Sequence, residues 1–462
     1  MACSFRLTAG EALWSASQVD QRIAEIERIL ERVPDGEPIA LLMSTDGAPM
    51  AALLAAHARG RPTLLLPATI ERAALGQLVD VVRPAMVVGP ATGQWGEDLE
   101  GTRQRIDSRG MMLEFVQLWW RERHELPEDT SVLQLTSGSL SPARLAVRSR
   151  SGISDEISAL DWRIGFGGER ILCSSSLAHS YGSIAGLLAP AKRGAAEIAV
   201  AGSASEAGRL AAAVRPTIII GLASTYRTFL DADLPAEALG AARVLLSAGA
   251  PLPSGLFDAF WQRFGFPIRQ DYGTTETGTV AIDYPGQAEP NVVGAPLSHL
   301  QVRVSEQTVQ PLDPGEQGEI QVRGVATVPR YLDAHGLHSV VDQQGWYHTG
   351  DVGEVTSDGN VRVVRRLRQP IHLGDTSVRP EKVEQAIARM PGVDEVAVIV
   401  TGSMGRAAVE AVVVADGLTL AQVRAWSRAN LPATSVPRII TMRAALPRSP
   451  AGKVLYTRLR NQ

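Results

Sequence analysis

The strongest constraint on this chain is an alternation that runs through most of its length. Short, almost wholly apolar runs recur at 39–43 (IALLM), 63–67 (TLLLP), 84–89 (PAMVVG), 171–176 (ILCSSS), 196–201 (AEIAVA), 217–222 (TIIIGL) and 243–248 (RVLLSA). Between them lie segments such as 19–32 (VDQRIAEIERILER), where apolar residues fall at helical spacing with charges between. A strand apolar at successive positions is covered on both faces, and strands separated by helices are joined as parallel βαβ units. The expected body is therefore α/β, built of parallel subdomains. From about 290 to 365 the texture changes to short alternating strands at 300–305, 318–323, 353–356 and 360–364, which predicts a small antiparallel, barrel-like β module. Beyond it the order helix (380–389), strand (395–400), strand (409–414), helix (420–429), strand (438–442) predicts a small, mobile α+β lid domain. The expected division is 1–365 and 366–462.

Charge narrows the partners. The chain has 45 basic and 49 acidic residues, a net charge of −4, so no global positive field is available to hold nucleic acid. The start, MACSFRLTAG, lacks a signal-peptide core, and no run reaches the ~18 apolar residues of a membrane helix. Neither membrane insertion nor nucleic-acid binding is expected. Two cysteines, Cys3 and Cys173, make no disulfide framework and favour a reducing, cytoplasmic setting. Among the basic residues only Lys192, Lys382 and Lys453 are lysines. A lysine in a chemically plausible place is thus a sharper signal than usual.

Five segments carry chemistry. At 133–144 (LQLTSGSLSPAR) an apolar strand runs into Thr136, Ser137, Gly138 and Ser139, followed by Arg144. Hydroxyls, backbone N–H groups and a planar guanidinium suit phosphate, although Ser/Thr/Gly clusters alone are usually loops. The others are 247–253 (SAGAPLP), 270–278 (QDYGTTETG), 345–351 (GWYHTGD) with the basic stretch 363–384 behind it, and 447–458 (PRSPAGKVLYTR). Singly, each reads as a turn.

In this order, spanning nearly the whole chain, they resemble the adenylate-forming superfamily: acyl- and aryl-CoA synthetases, peptide-synthetase adenylation domains and firefly luciferases. The resemblance implies ATP and Mg²⁺ as cofactors. It implies that Asp271, Tyr272, Gly273 and Thr274 bind ATP, with Tyr272 against adenine, that Thr275 meets the α-phosphate, and that Glu276 holds Mg²⁺. It implies that Gly249, Ala250 and Pro251 line the adenine and acyl pockets, and that Asp351 and Arg366 meet the ribose. Lys453 would be the adenylation lysine, an ammonium that bridges the attacking carboxylate and the α-phosphate.

The chain departs from the family in two loops. The phosphate loop has Leu140, Ser141, Ala143 and Arg144 where Thr, Gly, Pro and Lys are usual. The hinge motif has Arg365 for Gly, Arg368 for the hinge Asp, His372 for Lys and Asp375 for Gly. In the family the small domain swings about this hinge before thiol transfer, so the resemblance implies that the first half-reaction depends on these positions less than the second. An acidic Asp375 would not favour the phosphates of CoA, which tilts the expected acceptor toward the phosphopantetheine of an acyl carrier protein. For the acyl pocket the resemblance points to His179, Ser180, Tyr181 and Gly182. Peptide-synthetase domains place an aspartate near here for the substrate ammonium. With His179 in that neighbourhood, an amino acid would bury an unpaired charge. The Ala-His-x-Tyr run is similar to aryl-acid-activating members. The expected reaction is ATP-dependent activation of a small carboxylic acid of benzoate type, then transfer to a carrier protein or CoA. The alternatives are a medium-chain fatty acyl ligase and a member that binds adenylate without turnover.

Overall fold

A computed structural model describes residues 5–9, 12–91, 95, 97–108, 111–120, 125–136, 144–286, 289, 292–305, 311–324, 329–366, 371–373, 376–378, 380–401, 408–432, 435–448, 454 and 456–460. The chain forms two compact units: residues 1–349 with 353–364, and residues 350–352 with 365–462. The fold is mixed α/β, with two large sheets in the N-terminal part and a small sheet in the C-terminal part. Among the described residues no helix is long and apolar enough to cross a membrane.

The nine-stranded sheet of the first unit centres on the parallel strands Ile39–Met43, Thr63–Pro67 and Met86–Pro90. Its strand Ile39–Met43 is buried along its whole length. Ile39, Leu41 and Met43 face the core shared with helices Gly47–Ala58 and Arg150–Ile164, while Ala40 and Leu42 face an outer core under helix Arg72–Val82. This two-sided burial is why the run is apolar at every position rather than at alternate ones. The other sheet repeats the device: Ile218 and Ile220 face the central core, Ile219 the opposite one.

That second sheet has thirteen strands, and the 290–365 segment extends it. Strands Val292–Pro296, Gln301–Ser305, Gly318–Arg323, Tyr347–Val355 and Val361–Arg366 add to it beyond the hairpin of Arg269–Thr274 and Gly278–Ile282. They share a small core of Val280, Val293, Val304, Ile320, Val322 and Val361. The hairpin Arg330–Asp333 with Gly336–Ser339 leaves this module and pairs with strand Leu145–Ser149 of the nine-stranded sheet. The alternating pattern foretold strands here, but pairing partners are set by tertiary contacts that local periodicity does not encode.

In the second unit, Val393–Thr401 pairs antiparallel with Ala408–Ala415, which pairs parallel with Ile439–Met442. Helices Pro380–Ala388 and Leu420–Asn430 cover one face through Val383, Ile387 and Val423, packed on Val398, Val409 and Ile440. Ala397, Ile399 and Val412 face Leu446 and Leu459 on the other side. Thr419 and Gln422 form a capping box that starts the second helix, the Thr side chain accepting from the Gln422 N–H and the Gln returning to the Thr419 N–H.

Candidate functional site

The site grows from two adjacent strands. Thr130–Leu135 and Leu145–Ser149 form an antiparallel hairpin, and the Thr136 N–H donates to the Arg144 carbonyl at 3.1 Å to close it. The hydroxyl-rich loop therefore joins two strands rather than a strand and a helix. Ser137, Gly138 and Ser139 lie outside the described residues; their flanks Thr136 and Arg144 are brought together. Along Leu145–Ser149, Leu145 and Val147 pack in the outer core, so Ala146 and Arg148 alternate to the inner face. Gln134 shares that face and is fully buried; its Nε2 donates to Ser183 Oγ at 3.1 Å and to the Ala178 carbonyl at 3.4 Å.

Arg148 has the densest set of polar contacts here. Its Nη2 donates to Glu156 Oε2 at 2.8 Å, and its Nη1 lies 3.4 Å from both Ser180 Oγ and the Thr275 carbonyl oxygen. Both members of the Arg148–Glu156 pair are 2% exposed. Glu156 also accepts from the Thr279 N–H at 2.8 Å. The pair thus grips both ends of the turn between Arg269–Thr274 and Gly278–Ile282, the turn that carries Thr275 and Glu276. Gly278 has φ +76°, and a Cβ there would run into the Glu156 carboxylate. Within the turn, the Thr277 N–H donates to Thr274 Oγ1.

Glu276 is buried, and Tyr331 donates its hydroxyl to Glu276 Oε1 at 2.5 Å. Burial, followed by the Glu276 charge, holds the Tyr331 and Tyr347 hydroxyls well above the ordinary tyrosine range, so both remain protonated. The exposed Arg144 guanidinium lies 5.9 Å from the Tyr331 ring centroid, which joins the phosphate-loop flank to the Glu276 group. Beside this turn, Asp271 is buried. Burial, then the Glu156 charge, pushes its carboxyl well above the usual carboxylate range, against a contact with Thr279 Oγ1. Tyr272 is buried in the small core of the β module, while Gly273 is exposed. The Gly249–Ala250–Pro251 turn is pinned from behind: the Leu252 N–H donates to Gln270 Oε1 at 3.2 Å, and Gln270 Nε2 donates to the Val292 carbonyl.

On the acyl side, residues 181–188 form a π-helix that follows Ser180. Such wide turns cluster at functional sites because they reorient side chains without ending the helix. Gly182 is required there, since a Cβ would meet the Ser176 carbonyl. His179 is exposed and Ser180 buried. Tyr181 is half-buried, and its hydroxyl lies inside, where burial and the charge of Asp271 hold it protonated. In the second unit Asp351 lies within strand Tyr347–Val355 rather than at a turn, with Arg366 Nη1 at 3.7 Å from its Oδ1. Arg368 and Lys453 lie outside the described residues.

Arg148, Glu156, Tyr331 and Tyr347 were not singled out from the sequence, although signals for the buried pair exist. Arg148 is a charge inside the apolar strand LAVRS. Glu156 sits on the buried stripe of its helix with Ile153, Ile157 and Leu160. A charge on an apolar stripe predicts a partnered one.

The donor set suits a hard cation poorly by itself. Among the described residues no group of three His, Cys, Asp or Glu could hold a metal. One carboxylate with hydroxyls close by fits Mg²⁺ bound mainly through substrate phosphates.

Residues 4–332 match the AMP-binding enzyme family, and residues 382–453 match the AMP-binding enzyme C-terminal domain. The chain is 32% identical over 274 residues to a feruloyl-CoA synthase of an Amycolatopsis species, covering 56% of this chain and 55% of that protein. The matched stretch thus spans about half the length of that relative. It is 30% identical over 408 residues to a propanoyl:CoA ligase of Mycobacterium tuberculosis whose acyl group carries a bicyclic methyl-dioxo-octahydroindenyl unit, covering 85% of this chain and 76% of that one. The fold is shared with ATP-bound MatB from Rhodopseudomonas palustris at a TM-score of 0.75 and 22% identity, over 99% of this chain and 95% of that chain.

Proposed function

The chain belongs to the family of AMP-binding enzymes, and from that premise we propose that it is an AMP-forming acid–CoA ligase acting on an aryl or aryl-alkenyl carboxylic acid. In the first step a carboxylate oxygen of the acid attacks the α-phosphorus of ATP. The bond between that phosphorus and the bridging oxygen to the β-phosphate breaks, and pyrophosphate leaves. In the second, a thiolate attacks the carbonyl carbon of the acyl-adenylate and AMP leaves, giving the thioester.

The observation that carries this reading is the single guanidinium of Arg148 between Ser180 and the Thr275 carbonyl. The segment proposed for the acid and the turn proposed for the α-phosphate are therefore one side chain apart. Thr274 and Thr275 offer hydroxyls to phosphate, and Arg144 offers charge. Glu276, oriented by Tyr331, would hold Mg²⁺, whose charge offsets that of the phosphates. Tyr272 and the Gly249–Pro251 turn would contact adenine, with Asp351 and Arg366 at the ribose. Lys453 would supply the ammonium between carboxylate and phosphate.

The aryl assignment is supported by the feruloyl-CoA synthase relative and by the surroundings of Ser180. Its Oγ already faces Arg148, which disfavours an acid that needs a partner there for an ortho hydroxyl. The two relatives are named as a CoA synthase and a CoA ligase, which favours CoA over a carrier protein as the thiol.

Acid-dependent pyrophosphate release with benzoates, cinnamates and fatty acids tests this reading. A cinnamate- or benzoate-dependent signal that falls roughly 10²–10³-fold in Lys453→Ala is expected. A fatty acid as best substrate overturns the aryl assignment. No acid-dependent signal, or an unimpaired Lys453→Ala enzyme, overturns the ligase reading. Thioester formation with CoA compared against a phosphopantetheinylated carrier protein decides the acceptor.

A further inference from the structure

Arg148 and Glu156 connect the two segments that would hold the reactants. Two charges buried to 2% exposure are expensive to desolvate, and a fold stabilised for its own sake would fill that volume with apolar side chains. Their polar contacts are directional. The guanidinium reaches a side-chain oxygen on the acid side, Ser180 Oγ, and a main-chain oxygen on the phosphate side, the Thr275 carbonyl. The carboxylate takes the Thr279 N–H on the far side of the same turn. A guanidinium serves these three acceptors from donors held in one rigid plane; an ammonium has three donors too, but on a flexible stem they are not fixed in a plane. Ser180 immediately precedes the π-helix 181–188, so any shift of that segment on acid binding changes the Nη1 position that Thr275 shares.

We propose that Arg148, held in place by Glu156, is a positioning residue that couples occupancy of the acid pocket to the geometry of the phosphate-binding turn. The coupling rests on the adenylation reading above. By reciprocity of binding free energies, acid binding tightens ATP and ATP tightens acid by the same factor.

The test is ATP–pyrophosphate exchange over a grid of acid and ATP concentrations, with thermal unfolding measured alongside. The double variant Arg148→Met with Glu156→Leu replaces the pair with apolar groups of similar volume, a change that cores tolerate. In wild type, saturating acid should lower the KM for ATP. In the double variant that dependence should disappear and kcat should fall about 100-fold, the cost of a small misplacement of reacting groups. A merely structural role would lower the unfolding temperature and the amount of active enzyme, while leaving the mutual dependence of the two KM values intact. A folded double variant with wild-type kcat and wild-type coupling overturns the proposal. Should it fail to fold, Arg148→Lys decides: the charge is retained and the fork lost, so coupling should still vanish, and retained coupling overturns the proposal. A wild-type enzyme that exchanges with no acid overturns the adenylation reading itself, an outcome separate from uncoupled variants of an active enzyme.

Discussion

Two arginine–carboxylate pairs, one within each unit, differ in nearly every physical respect. Arg148 and Glu156 are 2.8 Å apart and 2% exposed, with further contacts to Ser180, Thr275 and Thr279. Arg366 and Asp351 are 3.7 Å apart, and the arginine is 60% exposed. A buried pair with its remaining donors satisfied fixes geometry, because breaking it strands a charge in a poor dielectric. In the second pair the carboxylate is buried, but the guanidinium is exposed, screened by water and loosely oriented. The first unit therefore holds its turn preorganised, whereas in the Asp351–Arg366 pair the arginine is free to reorient; under the proposed function it would meet the ribose.

The largest effect should come from Arg148→Ala alone, which leaves Glu156 buried without its partner. Urea unfolding should show a loss of about 3–5 kcal/mol. A loss below about 1 kcal/mol would erase the contrast between the pairs.

Burial rather than ligand chemistry should set such costs, and His57 on helix Gly47–Ala58 tests this. Burial, then the charges of Lys192 and Arg150, lowers its pKa to about 4 from an ordinary 6.5. The folded state then binds fewer protons than the unfolded one. The stability tied to this group is present above pH 6.5 and is lost as pH falls toward 4, to the extent of about 3 kcal/mol at pH 4. His57→Gln should flatten that part of the stability–pH curve; an unchanged curve would assign the acid sensitivity elsewhere.

Tyr331→Phe removes a hydrogen bond to the Glu276 carboxylate, worth about 1.5–3 kcal/mol for a charged acceptor. Exchange activity should fall and the Mg²⁺ concentration for half-maximal rate should rise, with little change in the KM for acid. Equal effects on acid and Mg²⁺ would mean that Tyr331 supports the whole turn rather than Glu276.

The smallest effect should be that of Arg366→Ala on stability, under about 1 kcal/mol. Its KM for ATP should nevertheless rise. A large drop in unfolding temperature would show the Asp351–Arg366 pair to be structural after all.

Much of the molecule was legible beforehand. Ile39–Met43 and Ile218–Gly221 read as buried parallel strands because both of their faces are covered, and composition records that directly. The segment 270–278 was located by its place in the order of motifs, but its hairpin setting was not. Nor was the departure of Arg330–Ser339 to the other sheet, because backbone pairing depends on partners distant in sequence. His179 and Ser180 are neighbours that read alike as pocket residues, yet one is exposed and the other buried under Arg148.

By itself the sequence determined the class of fold, the order of the motifs and the family. Those depend on short-range periodicity and on residue types whose chemistry is intrinsic, such as the rare lysine at 453. Tertiary structure alone decided that Arg148, Glu156, Ser180 and Thr275 form one unit across as many as 127 positions of chain. A buried charge reveals that it needs a partner. Which partner it has follows only when strand, helix and turn converge and water is excluded from the space between them.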